Sequence, residues 1–401
     1  MSSLAITGDE TGLVKLVDFS SRSYRSHGEQ SRSHGVVGMC WVSGGVSGAF
    51  ATLRQNSCLA LWNLKESDLS QLSVESSTDI VDPIGVAAVA RKSTDEASML
   101  VCYGKGGQVA LISATEELNV MTRFDVQGPV SHCVTCFGGA AFGGRDNDLK
   151  LYDLTTQKAV WEAKNVPHDS LRMRVPIWIS KMAFMRPSVD SVSDAHILTG
   201  TGHKHVRLYD THLKRQPVLS LEIGEYRVTT ILPRFGSDCQ VYVGDTSGGI
   251  QMWDIRTSKR LATLKGCVGS VRDMSPDCGS SFACVGLDRY VRKFDSSRNK
   301  QVTSVYIKNR TNCCLLVDSG SGSKTSGRRK RDDDDEDDDD DDVDGDDQEW
   351  SGADNDDESE VFSEDDGDSD AGDRLEELRN SSGDEGSENE QRWKRKVNRT
   401  K

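Results

Sequence analysis

Thiol and imidazole side chains are the first groups in this chain of 401 residues that could carry out chemistry. His132 precedes a Cys-x-x-Cys motif formed by Cys133 and Cys136, a spacing found in redox centres and in zinc sites. The motif falls in an apolar, strand-like run, and the sequence has no second Cys-x-x-Cys at zinc spacing. Since residues three apart on a strand face opposite sides, we expect two buried thiols here and no metal or redox site.

Two further features match binding motifs only in part. His203 and His205 flank a turn, and such a pair is more often a satisfied turn than a metal site. The run 320–325, Gly-Ser-Gly-Ser-Lys-Thr, lacks the Gly-Lys pair of a phosphate-binding loop. The sequence also has no Gly-x-Ser-x-Gly and no His-Glu-x-x-His motif. We therefore expect a protein that is not an enzyme and has no cofactor, no metal and no small-molecule substrate.

A basic segment over residues 164–178 offers a different kind of chemistry. Arg172 and Arg174 alternate there with apolar residues, so both side chains are predicted to point to one face. A guanidinium group forks onto phosphate or carboxylate, and long loops in compact folds are often functional. The sequence leaves two interpretations open: a partner-binding loop, or a loop that packs back on the fold with its arginines paired internally.

Repeats are the elements that must position these side chains. Seven strand-like runs end in an apolar or aromatic residue followed by a small polar one, at Val17-Asp18, Trp62-Asn63, Ile112-Ser113, Tyr152-Asp153, Tyr209-Asp210, Trp253-Asp254 and Phe294-Asp295. The intervals between successive pairs are 45, 50, 40, 57, 44 and 41 residues. This period, with a Trp-Asp-like pair, indicates WD repeats, each of which forms one four-stranded blade. The sequence thus predicts an all-β, seven-bladed β-propeller.

The inner strand of each blade should be apolar and should follow a loop. Six runs fit, at Val36–Val42, Ile84–Ala90, His132–Phe137, Ile177–Met185, Tyr226–Leu232 and Val268–Met274. The chain begins directly with the second strand of the first blade, so the seventh inner strand must come from Asn312–Val317 at the other end. Such pairing would close the ring without a free edge. This places the propeller at residues 1–317.

Charge divides the chain into two unlike parts. Residues 332–401 hold 32 acidic and 8 basic residues, whereas residues 1–331 hold 32 acidic and 41 basic ones. We predict that residues 318–401 are a disordered linker and acidic tail. Two basic clusters beside the acidic run indicate nuclear localisation, at Arg328, Arg329, Lys330 and Arg331 and at Lys394, Arg395 and Lys396. Neither a secretory signal nor a membrane-spanning run is predicted.

Over about residues 4–317 the chain resembles the nucleolar WD-repeat factors that assemble the large ribosomal subunit, and the resemblance is specific from residue 145 onward. The matching motifs are Ala163–Val166, Asp169, Leu171-Arg172-x-Arg174-Val175-Pro176-Ile177-Trp178, Val206–Asp210, Gly224–Tyr226, Leu264–Gly266, Gly269–Arg272, Cys284-x-Gly286–Arg289 and Val305-Tyr306-x-Lys308. The resemblance implies a monomeric, non-enzymatic scaffold in nucleolar maturation of the 60S subunit and its precursor rRNA. It implies pre-60S assembly factors and an AAA-type ATPase as partners, and it leaves direct contact with precursor rRNA open.

The same resemblance implies a set of partner-binding residues: Lys164, Asn165, Asp169, Arg172, Arg174, Trp178, Glu225, Tyr226, Lys265, Arg272, Asp288, Arg289 and Lys308. Two of them have structural alternatives, since Asp288 is expected to stabilise its turn and Trp178 is a candidate core residue.

Two other functions compete with the assembly scaffold. A chromatin-type propeller would hold basic histones with its acidic tail, because blocks of like charge often serve as interaction tails. A substrate receptor for ubiquitin ligation would need a surface that docks a ligase adaptor, and the sequence shows no motif for one.

Overall fold

The structure is a computed structural model. It describes residues 4–42, 48–65, 68–72, 76–89, 98–114, 118–136, 138–168, 170–185, 195–277 and 280–317. The proposed contact Asp169, the acidic tail and both basic clusters lie outside the described residues. The domain boundary at residue 317 and the nuclear localisation signals therefore stay predictions.

Regular structure in the described ranges consists of strands and one short 3-10 helix at Arg32–His34. In chain order the strands are β1 Leu4–Asp9, β2 Val14–Asp18, β3 Ser23–His27, β4 Val36–Trp41, β5 Ala49–Arg54, β6 Cys58–Lys65, β7 Asp68–Gln71, β8 Ser76–Ser77, β9 Pro83–Val89, β10 Ser98–Gly104, β11 Gln108–Ala114, β12 Leu118–Asp125, β13 His132–Cys136, β14 Gly139–Gly144, β15 Asn147–Asp153, β16 Lys158–Glu162, β17 Ile179–Phe184, β18 His196–Thr201, β19 His205–Asp210, β20 Leu219–Glu222, β21 Val228–Pro233, β22 Gln240–Asp245, β23 Ile250–Asp254, β24 Lys259–Leu264, β25 Val271–Pro276, β26 Ser281–Gly286, β27 Tyr290–Asp295, β28 Lys300–Tyr306 and β29 Thr311–Leu316. No helix among these residues is long and apolar enough to cross a membrane.

The strands form seven antiparallel sheets, which confirms the predicted seven-bladed propeller. Blade one is β29-β1-β2-β3, and blades two to seven are β4–β7, β9–β12, β13–β16, β17–β20, β21–β24 and β25–β28. Blade two has a fifth strand, because β8 also pairs with β6. Within blades two to seven the chain runs outward from the inner strand to the edge strand, whereas the inner strand of blade one is β29, the last of the described strands.

Burial explains why these sequences form blades. The second strands are covered on both faces: every residue of β1 and of β14 is buried. The outer strand β12 instead alternates between half-buried and exposed residues. The apolar cores lie between neighbouring blades, as where Ile6 and Leu16 of blade one pack with Phe50 of blade two. A single blade therefore cannot bury its own faces.

The Trp-Asp-like pairs lie at the ends of the third strands, as predicted. Their aspartates stabilise the following turn: the Asp18 carboxylate accepts the backbone N–H of Ser20 at 2.8 Å, and that of Asp254 accepts the N–H of Arg256 at 2.9 Å. This bonding also holds the pKa of both carboxyls below the usual value, although burial opposes the shift. A short acceptor at this position therefore stabilises the turn in these two blades.

Several predicted inner strands begin later than the apolar pattern indicates. The run Val268–Met274 corresponds to β25, which starts at Val271, and Tyr226–Leu232 corresponds to β21, which starts at Val228. The preceding residues form connections between blades; Gly269, for example, has φ of +91°. Hydrophobic patterning alone does not separate such connections from the strands they enter.

The ring closes between the two ends of the propeller, as predicted. β29 pairs antiparallel with β1, with Ala5 opposite Leu316 and Thr7 opposite Cys314. The observed strand is Thr311–Leu316, displaced by one residue from the expected Asn312–Val317. The prediction of a C-terminal strand that completes blade one is confirmed.

A buried ion pair ties blade one to the end of blade seven. Lys15 and Asp9 lie 3.3 Å apart with side chains 2% and 1% exposed. The Lys15 ammonium donates to the Ile307 carbonyl at 2.7 Å, and the Asn309 amide donates to Asp9 at 2.7 Å. Burial lowers the pKa of Lys15, while the Asp9 charge and hydrogen bond oppose that shift. Sequence patterning gave no sign of this network, whose partners lie about 300 residues apart.

Removing β29 should destroy the cooperative fold. A chain that ends at Lys308 would leave the β1 edge unpaired and would lose the buried side chains of Leu315 and Leu316. Burial of one such leucine is worth about 1.5–3 kcal/mol, against a total stability of about 5–15 kcal/mol. We expect no cooperative thermal transition by circular dichroism, whereas a chain ending at Gly327 should melt like the full chain. Equal melting of the two shortened chains would contradict the closure.

Breaking the buried ion pair from one side should be costly. Asp9→Asn keeps an oxygen for the turn N–H groups of Thr11 and Leu13 but leaves the Lys15 charge uncompensated. We expect a loss of about 3–5 kcal/mol in the free energy of unfolding, measured in urea. The same substitution in a Lys15→Met background should cost clearly less. Equal costs in both backgrounds would show that the pair is not coupled.

Candidate partner-binding surface

Two kinds of connection meet at one end of the strands. The turn between the second and third strands of a blade lies at the same end as the link to the next blade, because neighbouring strands are antiparallel. In blades four to seven this end comprises residues 145–146, 163–168, 170–178, 202–204, 223–227, 246–249, 265–272, 287–289 and 307–310. We call it the connection face.

The structure places every described member of the predicted binding set on the connection face: Lys164, Asn165, Arg172, Arg174, Trp178, Glu225, Tyr226, Lys265, Arg272, Asp288, Arg289 and Lys308. Residues drawn from blades four to seven of the sequence thus share one end of the fold. Most of their side chains are exposed; Asn165, Trp178 and Asp288 are partly buried. Their role in binding stays a prediction.

Trp178 is the centre of a cationic stack. It lies directly before β17, and its backbone forms an isolated bridge with Arg145 in the turn of blade four. The Arg145 guanidinium lies 5.3 Å from the centre of the indole ring, and that of Arg227 lies 4.4 Å away. The His203 ring meets the indole edge-on at 5.8 Å. Cation–π contacts of this kind contribute about 0.5–1 kcal/mol each at exposed sites.

Gly202 makes room for the indole. A β-carbon at this position would lie 2.2 Å from Trp178 Cδ2, closer than any real contact. The Gly202 backbone N–H also donates to the Trp178 carbonyl at 2.8 Å. Only glycine therefore fits beneath the ring, and Trp178 is a half-buried anchor of the surface.

Positive charges on the connection face stand close together. Arg272 repels the charge of Arg227, and this repulsion, after burial, lowers the pKa of Arg227. Burial also lowers the pKa of His203, and the charges of His205 and Arg207 lower it further. His203 is therefore neutral at physiological pH and adds an aromatic edge to the stack instead of a charge.

The loop that precedes Trp178 is held by its own side chains. The Asn165 amide donates to the Val175 carbonyl at 2.7 Å, and the Asn165 side-chain oxygen accepts the Val166 N–H at 2.8 Å. Asn165 thus closes the loop, which makes it a structural residue in this structure. The loop backbone holds Arg172 and Arg174 at the surface.

The expected strand-like alternation of Arg172 and Arg174 is wrong. Arg172 adopts φ of +59°, a left-handed conformation that no strand contains, and residues 171–177 form no strand. Both arginines are nevertheless exposed. Arg174 lies near Asp148, whose pKa burial raises while Arg207 and Arg174 oppose that shift.

Asp288 stabilises its turn, as the sequence predicted. Its carboxylate accepts the backbone N–H groups of Val268 and Tyr290, each at 3.2 Å, and forms an ion pair with Arg292. Asp9 and Asp245 play the same part in the turns of blades one and six, which sequence reasoning overlooked. Asp288 therefore fixes the backbone of this part of the connection face, and the neighbouring Arg289 side chain is exposed on that face.

Apolar side chains are exposed among these charges. Leu171 and Val268 are each 74% exposed, and Met173 and Tyr226 are 58% and 52% exposed. A surface that combines aliphatic, aromatic and arginine side chains is typical of protein-interaction sites.

Sequence reasoning missed Arg145, Gly202 and Arg227, which complete the site around Trp178. They come from three different blades and share no local motif with it. A signal was nevertheless present, since Arg227 directly precedes inner strand β21 as Trp178 precedes β17. An alignment of the blades by their inner strands would have placed Trp178 and Arg227 at equivalent positions of neighbouring blades, both on the connection face.

The Cys-x-x-Cys motif lies on inner strand β13 of blade four. Cys133 and Cys136 are buried, as predicted; burial raises the pKa of Cys136 to about 11 and that of Cys133 further. The described residues contain no group of three His, Cys, Asp or Glu side chains that could hold a metal. A cavity of about 530 Å³ lies along the inner strands, where Lys181 pairs with Asp273 at 3.1 Å.

Comparisons with known proteins agree with this architecture. The WD40 β-propeller domain of Doa1 superposes with a TM-score of 0.53 at 15% identity, covering 69% of this chain and 84% of that one. Human WD repeat-containing protein 74 is 38% identical over 183 residues, 44% of this chain and 45% of the human protein. The mouse protein of that name is 30% identical over 326 residues, 77% of this chain and 80% of its own length. This chain belongs to the WD repeat-containing protein 74 family.

More distant relatives extend this family. The ribosome biogenesis protein nsa1 of Schizosaccharomyces pombe is 26% identical over 348 residues, 76% of this chain and 85% of the yeast protein. No protein-family model matches the chain. The resemblance inferred from the sequence motifs is confirmed at the level of the family.

The close packing of Trp178 on residue 202 can be tested by adding one methyl group. Gly202→Ala should displace the indole ring, lower stability by about 1–3 kcal/mol and shift Trp178 fluorescence to the red. Gly106→Ala is the matched control, since a β-carbon there meets nothing within 4 Å. A Trp178→Phe chain identifies the emission of residue 178. If both alanine variants melted and fluoresced alike, the anchoring role of Trp178 would be wrong.

Proposed function

We propose that this chain is a non-enzymatic scaffold in nucleolar maturation of the large ribosomal subunit. The observation that carries the proposal is the match over three quarters of the chain to relatives whose names include ribosome biogenesis proteins. The connection face supports it, because it joins exposed arginines to exposed apolar groups as an interaction surface would.

The proposal has three finer parts. The connection face binds other pre-60S assembly factors, an AAA-type ATPase removes the protein before later maturation, and the basic clusters of the tail direct the chain to the nucleus and nucleolus. These parts rest on the resemblance and on the charge pattern of the sequence. If the chain did not co-sediment with large-subunit precursor particles, a histone-binding propeller or a ubiquitin-ligase receptor would be the remaining functions to test.

Charge reversal in the loop before Trp178 tests this function. Arg172→Glu with Arg174→Glu should weaken co-sedimentation of the tagged chain with large-subunit precursor particles several-fold. Melting should stay within about 0.5 kcal/mol of the parent, since both side chains are exposed. The readout is the fraction of tagged protein that migrates with precursor rRNA in a gradient of nuclear extract.

The matched control reverses two exposed arginines at the other end of the strands, Arg256→Glu with Arg260→Glu. These should leave the particle-bound fraction unchanged. Unchanged association of the Arg172 and Arg174 variant would move the contact away from this loop. A parent chain that never migrates with precursor rRNA would contradict the proposed function itself.

A further inference from the structure

Cations dominate the connection face of blades four to seven. Its residues include eleven Lys and Arg against three Asp and Glu. One of those three acids, Asp288, is already paired with Arg292 behind the surface. The connection face therefore carries a net positive charge, whereas the whole chain carries a net negative charge. An excess of this kind attracts a polyanion.

Three arginines at its centre are uncompensated. Arg145, Arg227 and Arg272 come from blades four, six and seven and are all exposed. Within the described part of the chain, none of their guanidinium groups forms an ion pair or a hydrogen bond with a side chain. Arg227 and Arg272 lie close enough to repel each other. Folding alone gives no reason to bring like charges together, so a ligand of opposite charge is the simpler explanation.

Stacking on Trp178 also fixes the guanidinium groups of Arg145 and Arg227 before any ligand binds. Arg145 and Arg227 both lie over the indole of Trp178, which is itself fixed by the absence of a side chain at Gly202. Arginines held in this way lose less conformational entropy when they bind an anion. Each guanidinium forks onto phosphate oxygens, and its plane can stack with an unpaired base.

We infer that Arg145, Arg227 and Arg272 bind the phosphate backbone of an RNA strand, with Trp178 as the support of Arg145 and Arg227 and with Arg272 beside Arg227. The choice of RNA over an acidic protein segment rests on the proposed function, which places the chain among precursor rRNA. Because the groups that the indole ring supports are two guanidinium cations, recognition is through phosphates and is independent of sequence. The charges span three blades, so the site suits an extended strand better than a single phosphate.

Fluorescence anisotropy of the purified full-length chain with a labelled single-stranded RNA of mixed sequence tests the inference. The dissociation constant is measured across a salt series from about 50 to 200 mM. The variant Arg145→Gln, Arg227→Gln, Arg272→Gln should bind at least about tenfold more weakly at the higher salt. Its log–log salt dependence should be shallower by about 2, from three lost contacts at about 0.7 each.

Two control variants keep this test interpretable. Replacing the three arginines with lysine retains the charges and should preserve most of the salt dependence. Removing three arginines from the other end of the strands, by Arg22→Gln, Arg256→Gln and Arg260→Gln, should leave the salt slope near that of the parent. Thermal melting of every variant shows that the ring is intact.

Three results would overturn the inference. The parent chain could fail to bind RNA, or the two glutamine variants could weaken binding equally. A glutamate-rich peptide of matched charge could bind through these arginines while RNA does not, which would assign the site to an acidic protein. RNA binding that depends on the three arginines, in a chain absent from precursor particles, would instead overturn the proposed function and leave the inference standing.

Discussion

The pairing of β29 with β1 is the interaction on which the rest of the structure depends. Every blade buries its apolar faces against two neighbours, so the cores of blades one and seven exist only when the ring is closed. The closure joins residues about 300 positions apart and is reinforced by Lys15, which reaches from Asp9 to the carbonyl of Ile307. A ring closed in this way has no exposed inner edge and can hold loops from different blades in fixed relative positions.

That rigidity suits the connection face to binding a partner. Trp178, Arg145 and Arg227 come from three links or turns that have no sequence in common, yet they meet at 4–6 Å because the blades stack at fixed angles. The turns beneath them are held by carboxylates such as Asp288. Side chains positioned by strands and by capped turns present charge without the entropy cost of ordering a mobile loop.

The blades, the number of repeats and the closing strand could be predicted because they follow from period and alternation, which are local properties. The first residues of the inner strands near Tyr226 and Val268 could not be predicted, since an apolar connection has the same hydrophobic pattern as a strand and differs from it only in backbone conformation. The left-handed backbone conformation of Arg172 could not be predicted either, because a single residue in a loop does not change the hydrophobic periodicity of the sequence. The family motifs include Trp178, whereas Arg145, Gly202 and Arg227, which surround it from other blades, lie outside those motifs.

Cross-linking mass spectrometry of particles isolated with the tagged full-length chain is the most direct test of whether this chain binds its partners through the connection face. Both ends of the strands carry exposed or half-exposed lysines, with Lys164, Lys204, Lys265 and Lys308 on the connection face and Lys158, Lys259 and Lys300 at the opposite end. We expect cross-links to other proteins of the particle to concentrate on the first group. Cross-links that concentrate on the second group would contradict binding through the connection face.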